Sequence, residues 1–342
     1  MDEARTRIVV AGAGSIGCYA GGCLALAGRR VMLLARSRIA EPIAADGFFV
    51  SDLGDAARLV GNAVVSTTVD PIVLADADLI LVTVKSGQTA EVAELVAAHG
   101  RPGVVVVSLQ NGVANVGVLS RRLGPDFTVI AGMVPFNVVP GNRDGRLSFD
   151  RATSGTTLVG DGVEGLVGLL DVDGFPVAAS GDMQAVQWGK LVINLNNALN
   201  ALSGLPLAEQ LSDRRWRRVF ADQIDEAIRV LRKAGIRPAR FGPLPPAAIP
   251  SVLRLPDVLF GIVARPMLKV DPKARLSMWQ DLEARRSTEI DHLQGAIVDL
   301  AARHGEEVPL SRHIAGLVRA AERCGEGSPR MSPQAMRPGC RA

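Results

Sequence analysis

The sequence predicts an α/β fold in which a parallel sheet fills the N-terminal half and an all-helical second domain follows. Short apolar runs alternate with helical stretches over the first half, which is the pattern of a sheet covered by helices. From about Val177 onward, apolar positions instead recur at helical spacing over residues 185–235 and 275–323. We therefore expect two domains of different architecture.

Seven runs are the candidate strands of this sheet. The continuously apolar runs, as expected for strands buried on both faces, are Ile8–Ala11, Val31–Ala35, Leu79–Val84, Val104–Leu109 and Thr128–Gly132. Two shorter strands, near Gly145–Asp150 and Gly155–Gly160, are expected to complete the same sheet.

The domain boundaries follow from these patterns. We place the sheet domain at residues 1–182 and the helical domain at 183–325. Residues 237–272 are rich in proline and broken in pattern, so loops and short helices are expected there. Residues 326–342 carry two Ser-Pro pairs and one Arg-Pro pair, which favours a flexible tail.

Composition argues against a nucleic-acid or membrane partner. Hydrophobic residues make up 48% of the chain and charged residues 21%, which allows a sizeable packed core. The 38 Lys and Arg nearly balance the 35 Asp and Glu, and both signs are scattered along the chain. We interpret the basic run Arg214–Arg218 as a solvated helix face.

The spacing of cysteine and histidine gives no sign of a metal site. Cys18, Cys23, Cys324 and Cys340 form neither a metal motif nor a disulfide framework, which favours a reducing, cytoplasmic compartment. The charge-free stretch Ile8–Gly28 resembles a targeting segment, but its six glycines disfavour a single helix and favour a turn.

A glycine motif within this stretch is typical of a dinucleotide-binding turn. Gly12 permits the tight turn, Gly14 lets the backbone approach a pyrophosphate, and Gly17 lets the following helix pack on the strand. The amino terminus of that helix offers N–H groups to the phosphates. A Rossmann-type domain is expected, and the turn residues assigned to the cofactor are Gly12, Gly14, Ser15, Ile16 and Gly17. The alternative is a structural turn without a ligand.

Basic residues at two strand ends favour NADPH over NADH. The second strand ends at Arg36, where NAD-binding domains usually place an acidic residue for the ribose hydroxyls. A guanidinium suits a 2′-phosphate instead, and Lys85 after the third strand could add a second cation. Asn111 follows the fourth strand and is expected in the ligand-binding crevice at the carboxyl ends of the strands. Each of these could instead be an ordinary surface or turn residue.

The stretch Trp188–Ala201 is expected to be the helix that carries chemistry. Lys190, Asn194 and Asn197 stand at i, i+4 and i+7, so they share one face of a helix whose other sides are apolar. A polar stripe on a buried helix is costly unless a bound substrate satisfies it. The alternative is a stripe that faces solvent.

A second candidate segment lies further along the chain. Ser277 opens a helical stretch, and Glu289 follows soon after. Thr288 and Asp291 have the spacing of a capping box, so the helix they start would run to His304. Glu289 could therefore be a first-turn acid favoured by the helix dipole or a functional carboxylate.

Together these residues resemble the ketopantoate reductase (2-dehydropantoate 2-reductase) family, to about residue 320. The resemblance is carried by Gly12–Gly17, Arg36, Lys85, Gln110-Asn111-Gly112, Lys190-x-x-x-Asn194, Ser277-Met-x-Gln-Asp281 and Thr288-Glu289-Ile-Asp291. It implies a two-domain enzyme that reduces the small 2-oxo acid ketopantoate to pantoate with NADPH, on the route to pantothenate and coenzyme A.

The resemblance also implies the role of each side chain. Lys190 would be the general acid, and Glu289 would accept a hydrogen bond from the substrate hydroxyl. Asn111 would lie close to cofactor and substrate, while Asn194 and Ser277 would hold the substrate, with Ser277 near its carboxylate.

Other residues bear on the two ligands. Arg36 and Lys85 would hold the cofactor phosphate by the same resemblance. Three departures from the family bear on the substrate. Ala198 replaces a frequent second asparagine, with Asn197 beside it, and Met133–Asn137 replaces a small, threonine-rich stretch. The insertion around Arg237–Pro272 is also longer than in compact members.

Two rival functions stay open at this stage. A 3-hydroxy-acid dehydrogenase also contains a Gly-Lys-x-x-x-Asn pattern like Gly189–Asn194, and a catalytically silent NADPH-binding protein would keep the glycine turn. Neither stereochemistry nor oligomeric state follows from the sequence, so a homodimer stays open as well.

Overall fold

The computed structural model describes residues 2–3, 5–242, 244–263 and 274–339. The chain divides into two compact units, Met1–Met183 and Gln184–Ala342. Over the described residues, every strand belongs to the first unit, whereas the second contains only helices and connecting loops. This confirms the predicted fold class of a sheet-containing N-terminal part followed by a helical C-terminal part.

The strands of the first unit form two sheets. Their bounds are β1 (Arg7–Ala11), β2 (Arg30–Leu34), β3 (Phe48–Asp52), β4 (Arg58–Val60), β5 (Val65–Thr68), β6 (Leu79–Val82), β7 (Val105–Ser108), β8 (Thr128–Met133), β9 (Val138–Arg143), β10 (Arg146–Arg151), β11 (Thr157–Gly160) and β12 (Val177–Ser180). The larger sheet has eight strands in the order β12-β11-β8-β7-β6-β1-β2-β5. Only the β11–β8 pair is antiparallel among these described strands.

Six neighbouring strands have the order of a Rossmann sheet. The sequence β5-β2-β1-β6-β7-β8 reverses its direction of growth between β1 and β6. In such sheets, ligands lie beyond the carboxyl ends of the strands at this switch point. The central strand β6 is fully buried from Leu79 to Val82, because helices cover both faces. The continuous apolar runs in the sequence reflect this double burial.

Helices pack around the sheets of the first unit. Their bounds are α1 (Ser15–Leu26), α2 (Ser37–Asp46), α3 (Thr89–His99), α4 (Asn115–Leu123) and α5 (Leu166–Leu170). Glycines in α1 allow it to approach both sheets closely. A Cβ on Gly21 would stand 2.7 Å from a Leu33 methyl, and one on Gly22 would stand 2.9 Å from the Phe48 ring.

The smaller sheet corrects one prediction. The strand expected near Gly145–Asp150 exists as β10, but it belongs to a separate four-stranded sheet, β4-β3-β10-β9. β10 pairs in parallel with β3, almost a hundred residues earlier, and antiparallel with β9. The strand expected near Gly155–Gly160 joins the large sheet as predicted, as β11. Local pattern cannot choose between two sheets, because that choice depends on pairing between distant segments.

The second unit is built from helices throughout its described residues. Their bounds are α6 (Met183–Asn194), α7 (Asn196–Ser203), α8 (Leu207–Ser212), α9 (Arg214–Lys233), α10 (Ile249–Leu253), α11 (Asp257–Val263), α12 (Ser277–Glu283), α13 (Gln294–His304) and α14 (Pro309–Cys324). The proline-rich segment contains the short helices α10 and α11, as expected, while residues 243 and 264–273 lie outside the described part.

The basic run at the start of α9 is not a purely solvated face. Arg217 is fully buried, pairs with Asp257 at 2.9 Å and stacks over the Phe260 ring at 4.1 Å. Its guanidinium also donates to four backbone carbonyls, including Leu253 and Leu255. A buried cation needs such partners, and Arg217 finds them at the end of α8 and at and after the end of α10.

The segment expected to be a flexible tail is packed against the second unit over residues 326–339. The Met331 N–H donates to the Leu202 carbonyl at 2.8 Å, and the Met336 side chain is fully buried. Arg337 pairs with Asp222 at 2.6 Å. The prolines indicated the absence of regular structure, but the apolar and charged partners that fix the segment lie far away in sequence. Residues 340–342 lie outside the described part.

Candidate active site

The glycine turn after β1 has an open side. Gly12 has a φ of +112°, and a Cβ there would stand 2.6 Å from a Val84 methyl, so only glycine fits. A Cβ on Gly17 would overlap the Gly12 carbonyl oxygen, which explains the close packing of α1 on this turn. Gly14, by contrast, has nothing within 4 Å of its Cβ position. The turn therefore leaves room at Gly14 for a phosphate group.

The amino terminus of α1 has no side-chain cap. Gly14 is the N-cap residue, and Ser15, Ile16 and Gly17 form the first turn. The first N–H groups of a helix have no intrahelical acceptor and carry a partial positive charge. Together with the open space at Gly14, these donors fit the pyrophosphate of a dinucleotide.

Three further candidate residues lie at the same edge of the large sheet. Arg36 follows β2, Lys85 follows β6 and Asn111 follows β7, and these strands run parallel to β1. Arg36 is exposed, and its backbone caps α2. The parallel strands thus bring the glycine turn, both cations and the asparagine to one edge of the sheet.

Lys190 and Glu289 interact electrostatically within the second unit. Burial lowers the pKa of Lys190 from its ordinary 10.5 to about 8, and the negative charge of Glu289 opposes part of that fall. An ammonium whose pKa lies near neutrality can give up its proton at working pH. The pair therefore has the properties of a proton donor with an acidic neighbour.

The predicted polar helix is interrupted in the structure. α6 ends at Asn194 and α7 begins at Asn196, with a turn at Leu195 between them. Asn197 therefore belongs to a different helix from Lys190, but Leu195 keeps an α-helical backbone (φ −57°, ψ −26°), so the common face stays a prediction. Asn197 is only 8% exposed, and its amide makes no hydrogen bond to any residue that the structure describes. Its amide atoms are not among the fully buried unpaired ones, so water or a ligand can pair with them.

Buried amides next to this turn escaped the sequence analysis. Gln294 is fully buried and donates to the Leu195 carbonyl at 2.8 Å. Asn196 exchanges hydrogen bonds with Gln210, and Asn200 donates to Gln210 at 3.1 Å. The available signal was the density of asparagine in an apolar stretch, from which we assigned only Asn194 and Asn197 to the substrate. Asn196 and Asn200 stabilise the helix junction.

Gly189, directly before Lys190, is required by packing. A Cβ there would overlap the Ala239 carbonyl oxygen, and the Ala239 N–H donates to the Ala185 carbonyl at 2.8 Å. The segment after α9 therefore lies directly against α6. This contact accounts for the glycine in the Gly-Lys-x-x-x-Asn pattern without assigning it any chemistry.

A matched pair of glycine substitutions tests this packing. Gly189→Ala is expected to lower the midpoint of thermal unfolding by several degrees, since overpacking costs about 1–3 kcal/mol. Gly316 lies in α14 with nothing within 4 Å of its Cβ position. Gly316→Ala is expected to raise the midpoint, since helical glycine costs about 0.5–1 kcal/mol relative to alanine. A Gly189→Ala protein as stable as the unaltered chain would contradict the close contact.

The second candidate segment differs in part from its prediction. Ser277 is the exposed first residue of α12. The capping box does not start one long helix, because a short 3-10 helix at Ile290–His292 precedes α13. Thr288 accepts from the Ile290 N–H, and Asp291 pairs with Arg319. Glu289 is thus not a first-turn residue of α13.

One departure from the family is explained by core packing. Phe136, within Met133–Asn137, is buried and packs edge-to-face on Tyr19 and Phe175. The Arg151 guanidinium lies over its other side at 4.3 Å. This phenylalanine contributes to the core of the first unit.

Neither a metal cluster nor a membrane span is found in the part of the chain that the structure describes. No group of three or more His, Cys, Asp or Glu side chains there could hold a metal ion. Among the same residues, no helix combines the length and the apolar character that crossing a bilayer would need.

The fold and the site define the class of protein. A Rossmann sheet with an open glycine turn, in a chain that also contains a lysine of lowered pKa, is typical of an oxidoreductase that uses a nicotinamide nucleotide. The family model "Ketopantoate reductase PanE/ApbA" matches residues 8–164, and "Ketopantoate reductase PanE/ApbA C terminal" matches residues 182–322. The chain belongs to the ketopantoate reductase family, and it is an oxidoreductase that acts on CH-OH groups.

Relatives of known name agree with this family. A 2-dehydropantoate 2-reductase of Halobacterium salinarum is 30% identical over 330 residues, covering 93% of this chain and 100% of the relative. The crystal structure of a PanE/ApbA family ketopantoate reductase from Ralstonia eutropha JMP134 has a TM-score of 0.79 and 29% identity, covering 94% of this chain and 100% of that one. A D-mandelate dehydrogenase solved with NADH and anilino(oxo)acetate shares the fold, with a TM-score of 0.74 and 20% identity over 94% and 99% of the chains.

Proposed function

We propose that this chain reduces 2-dehydropantoate (ketopantoate) to pantoate with NADPH, as a step toward pantothenate. The relatives named 2-dehydropantoate 2-reductase support the substrate. The observation that carries the chemistry is Lys190, whose pKa burial lowers to about 8 beside Glu289. A protonated amine of this kind is what the reduction of a carbonyl group requires.

The reduction needs a hydride on carbon and a proton on oxygen. The nicotinamide supplies the hydride to C2 of the 2-oxo acid when the nucleotide is bound. Lys190 stabilises the negative charge that develops on the carbonyl oxygen and transfers its proton there. Glu289 accepts a hydrogen bond from the resulting hydroxyl group. The products are the 2-hydroxy acid, the oxidised nucleotide and a neutral lysine that regains its proton from water.

Other residues hold the substrate in this proposal. Asn194, Asn197 and Ser277 donate hydrogen bonds to its oxygen atoms, with Ser277 at the carboxylate. The buried Asn197 amide supports this assignment, because it makes no hydrogen bond to the described residues of the protein. Asn111 orients the reacting carbonyl beside the nucleotide.

The decisive experiment is a spectrophotometric screen of NADPH oxidation. The panel contains ketopantoate, branched and hydroxylated 2-oxo acids, aryl 2-oxo acids and 3-oxo acids. We expect the largest kcat/KM with ketopantoate. Equal inactivity toward every compound, with NADPH still bound, would favour a silent nucleotide-binding protein. A preference for a 3-oxo acid would indicate that the protein is a 3-hydroxy-acid dehydrogenase.

Cofactor choice is expected to depend on Arg36. Arg36→Ala should raise the Kd of NADPH about 10- to 100-fold, since hydrogen bonds to charged groups contribute about 1.5–3 kcal/mol, and should leave the Kd of NADH nearly unchanged. Fluorescence titration with both nucleotides measures this. Arg30→Ala is the matched control, because Arg30 is exposed at the opposite end of the same strand. Equal losses for both nucleotides would contradict a 2′-phosphate contact.

The pH dependence of the reduction follows from the pKa of Lys190. The protonated fraction of Lys190 falls as the pH rises through about 8. We therefore expect kcat/KM to be level below that pH and to fall about tenfold per pH unit above it, because the free enzyme must carry this proton. Initial rates between pH 6 and 10 give the profile, a range of about four units that includes both the level region and the falling limb. A rate that rises with pH would exclude Lys190 as proton donor.

A further inference from the structure

A buried polar cluster lies beneath the loops that follow β6 and β7. Its members are Ser86, Thr89, Ser108, Gln110 and Asn115. Each is at most 6% exposed, so none of these side chains is available to a ligand in solvent. The two loops carry Lys85, which the family resemblance assigns to the cofactor phosphate, and Asn111, which the proposed function places beside the nucleotide.

Asn115, at the start of α4, is the centre of this cluster. Its Nδ2 donates both to the Asn111 carbonyl and to Ser86 Oγ, the latter at 3.1 Å. Its Oδ1 lies 2.8 Å from Thr89 Oγ1, whose single proton is donated either to this oxygen or to the Ser86 carbonyl, also at 2.8 Å. The Ser86 hydroxyl also donates to the Asn111 carbonyl, at 2.9 Å. One buried side chain thus joins the loop after β6, the loop after β7 and the start of α3.

Gln110 adds a second link between the same loops. Its Nε2 donates to the Val84 carbonyl at 3.0 Å and to Thr89 Oγ1 at 2.8 Å, while its Oε1 accepts from Ser108 Oγ at 3.0 Å. The buried atoms without partners in the described residues do not include any from this cluster. A buried network with this many internal hydrogen bonds makes its surroundings rigid, because moving one member breaks bonds to several others.

We propose that Asn115 and Thr89 are positioning residues that set the affinity for the nucleotide without touching it. Lys85 and Asn111 lie on loops, which would otherwise lose conformational freedom when the nucleotide binds. Cross-linking both loops in advance removes part of that cost, as in other preorganised sites. The proposal rests on the proposed function in one respect, namely that the ligand at this sheet edge is NADPH.

The first test is Asn115→Asp in the full chain. The change keeps the shape and the acceptor for Thr89, but it replaces the donor with an oxygen that faces the Asn111 carbonyl. We expect the Kd of NADPH, from fluorescence titration, to rise about tenfold, the equivalent of about 1.4 kcal/mol. Asn196→Asp is the matched control: Asn196 is equally buried in the other unit, so that variant should lose thermal stability and keep the Kd.

The second test uses two changes at Thr89. Thr89→Val keeps the volume and removes the hydroxyl that serves both Asn115 and Gln110. We expect its NADPH Kd to rise about threefold or more, while Thr89→Ser restores the hydroxyl and stays within about twofold of the unaltered chain. A merely structural role would move the unfolding midpoint of Thr89→Val without separating the two Kd values. The comparison of Thr89→Val with Thr89→Ser tests the positioning role even if Asn115→Asp fails to fold.

The outcomes distinguish this inference from the proposed function. Failure of the unaltered protein to bind NADPH would overturn the proposed function, and this inference with it. The inference would be overturned, and the proposed function kept, if NADPH bound equally tightly to the unaltered chain, to folded Asn115→Asp and to Thr89→Val. Weakened binding that Thr89→Ser restores would support it.

Discussion

Lys190→Ala is expected to lower kcat for ketopantoate reduction by at least about 100-fold, the lower part of the range for general acid–base catalysis. The reason is that the lysine carries the only proton that our mechanism delivers to the carbonyl oxygen. The substitution removes an ammonium whose pKa burial has lowered to about 8. Steady-state rates at saturating NADPH, measured at pH values below the wild-type midpoint, give the comparison.

Two measurements keep this prediction specific. The Kd of NADPH should change little, because Lys190 belongs to the helical unit and the glycine turn belongs to the other. Lys233→Ala serves as a control, since Lys233 is an exposed lysine at the end of α9. Near-normal turnover by Lys190→Ala would remove the residue from its proposed role, whatever the other variants show.

Glu289→Gln is expected to reduce kcat/KM for ketopantoate by about 10- to 100-fold, the loss that corresponds to one hydrogen bond with a charged partner. It should also move the basic limb of the pH profile. The Glu289 charge raises the pKa of Lys190, so its removal lowers that pKa, and activity begins to fall at a more acidic pH than in the unaltered enzyme.

These two effects distinguish ketopantoate reduction from 3-hydroxy-acid dehydrogenation. Glu289 has no role in the mechanism of a 3-hydroxy-acid dehydrogenase, so that reaction would tolerate the change. Glu209→Gln is the control, because Glu209 is exposed on α8. A pH profile that stays in place in Glu289→Gln would show that the two groups do not interact in the enzyme.

The sequence determined those features that depend on short stretches of chain. The strands β1, β2, β6, β7 and β8 were predicted from continuous apolar runs, because burial on both faces leaves a signal in each strand alone. The glycine turn was also predicted from the sequence, since the spacing of its three glycines lies within six residues. Lys190 and Glu289 were singled out as candidates, and their roles stay predictions that the variants above will test.

Only the tertiary structure decided the features that depend on distant partners. β10 joins the second sheet through β3, and the buried Arg217 is paired with Asp257 and with backbone carbonyls at and after the end of α10. The helix junction at Leu195 is capped by Gln294, about a hundred residues later. Hydrophobic periodicity and motif spacing describe one segment at a time. They contain no information on which remote group will satisfy a buried charge, an amide or a strand edge, and that is why the packed fold was needed to assign them.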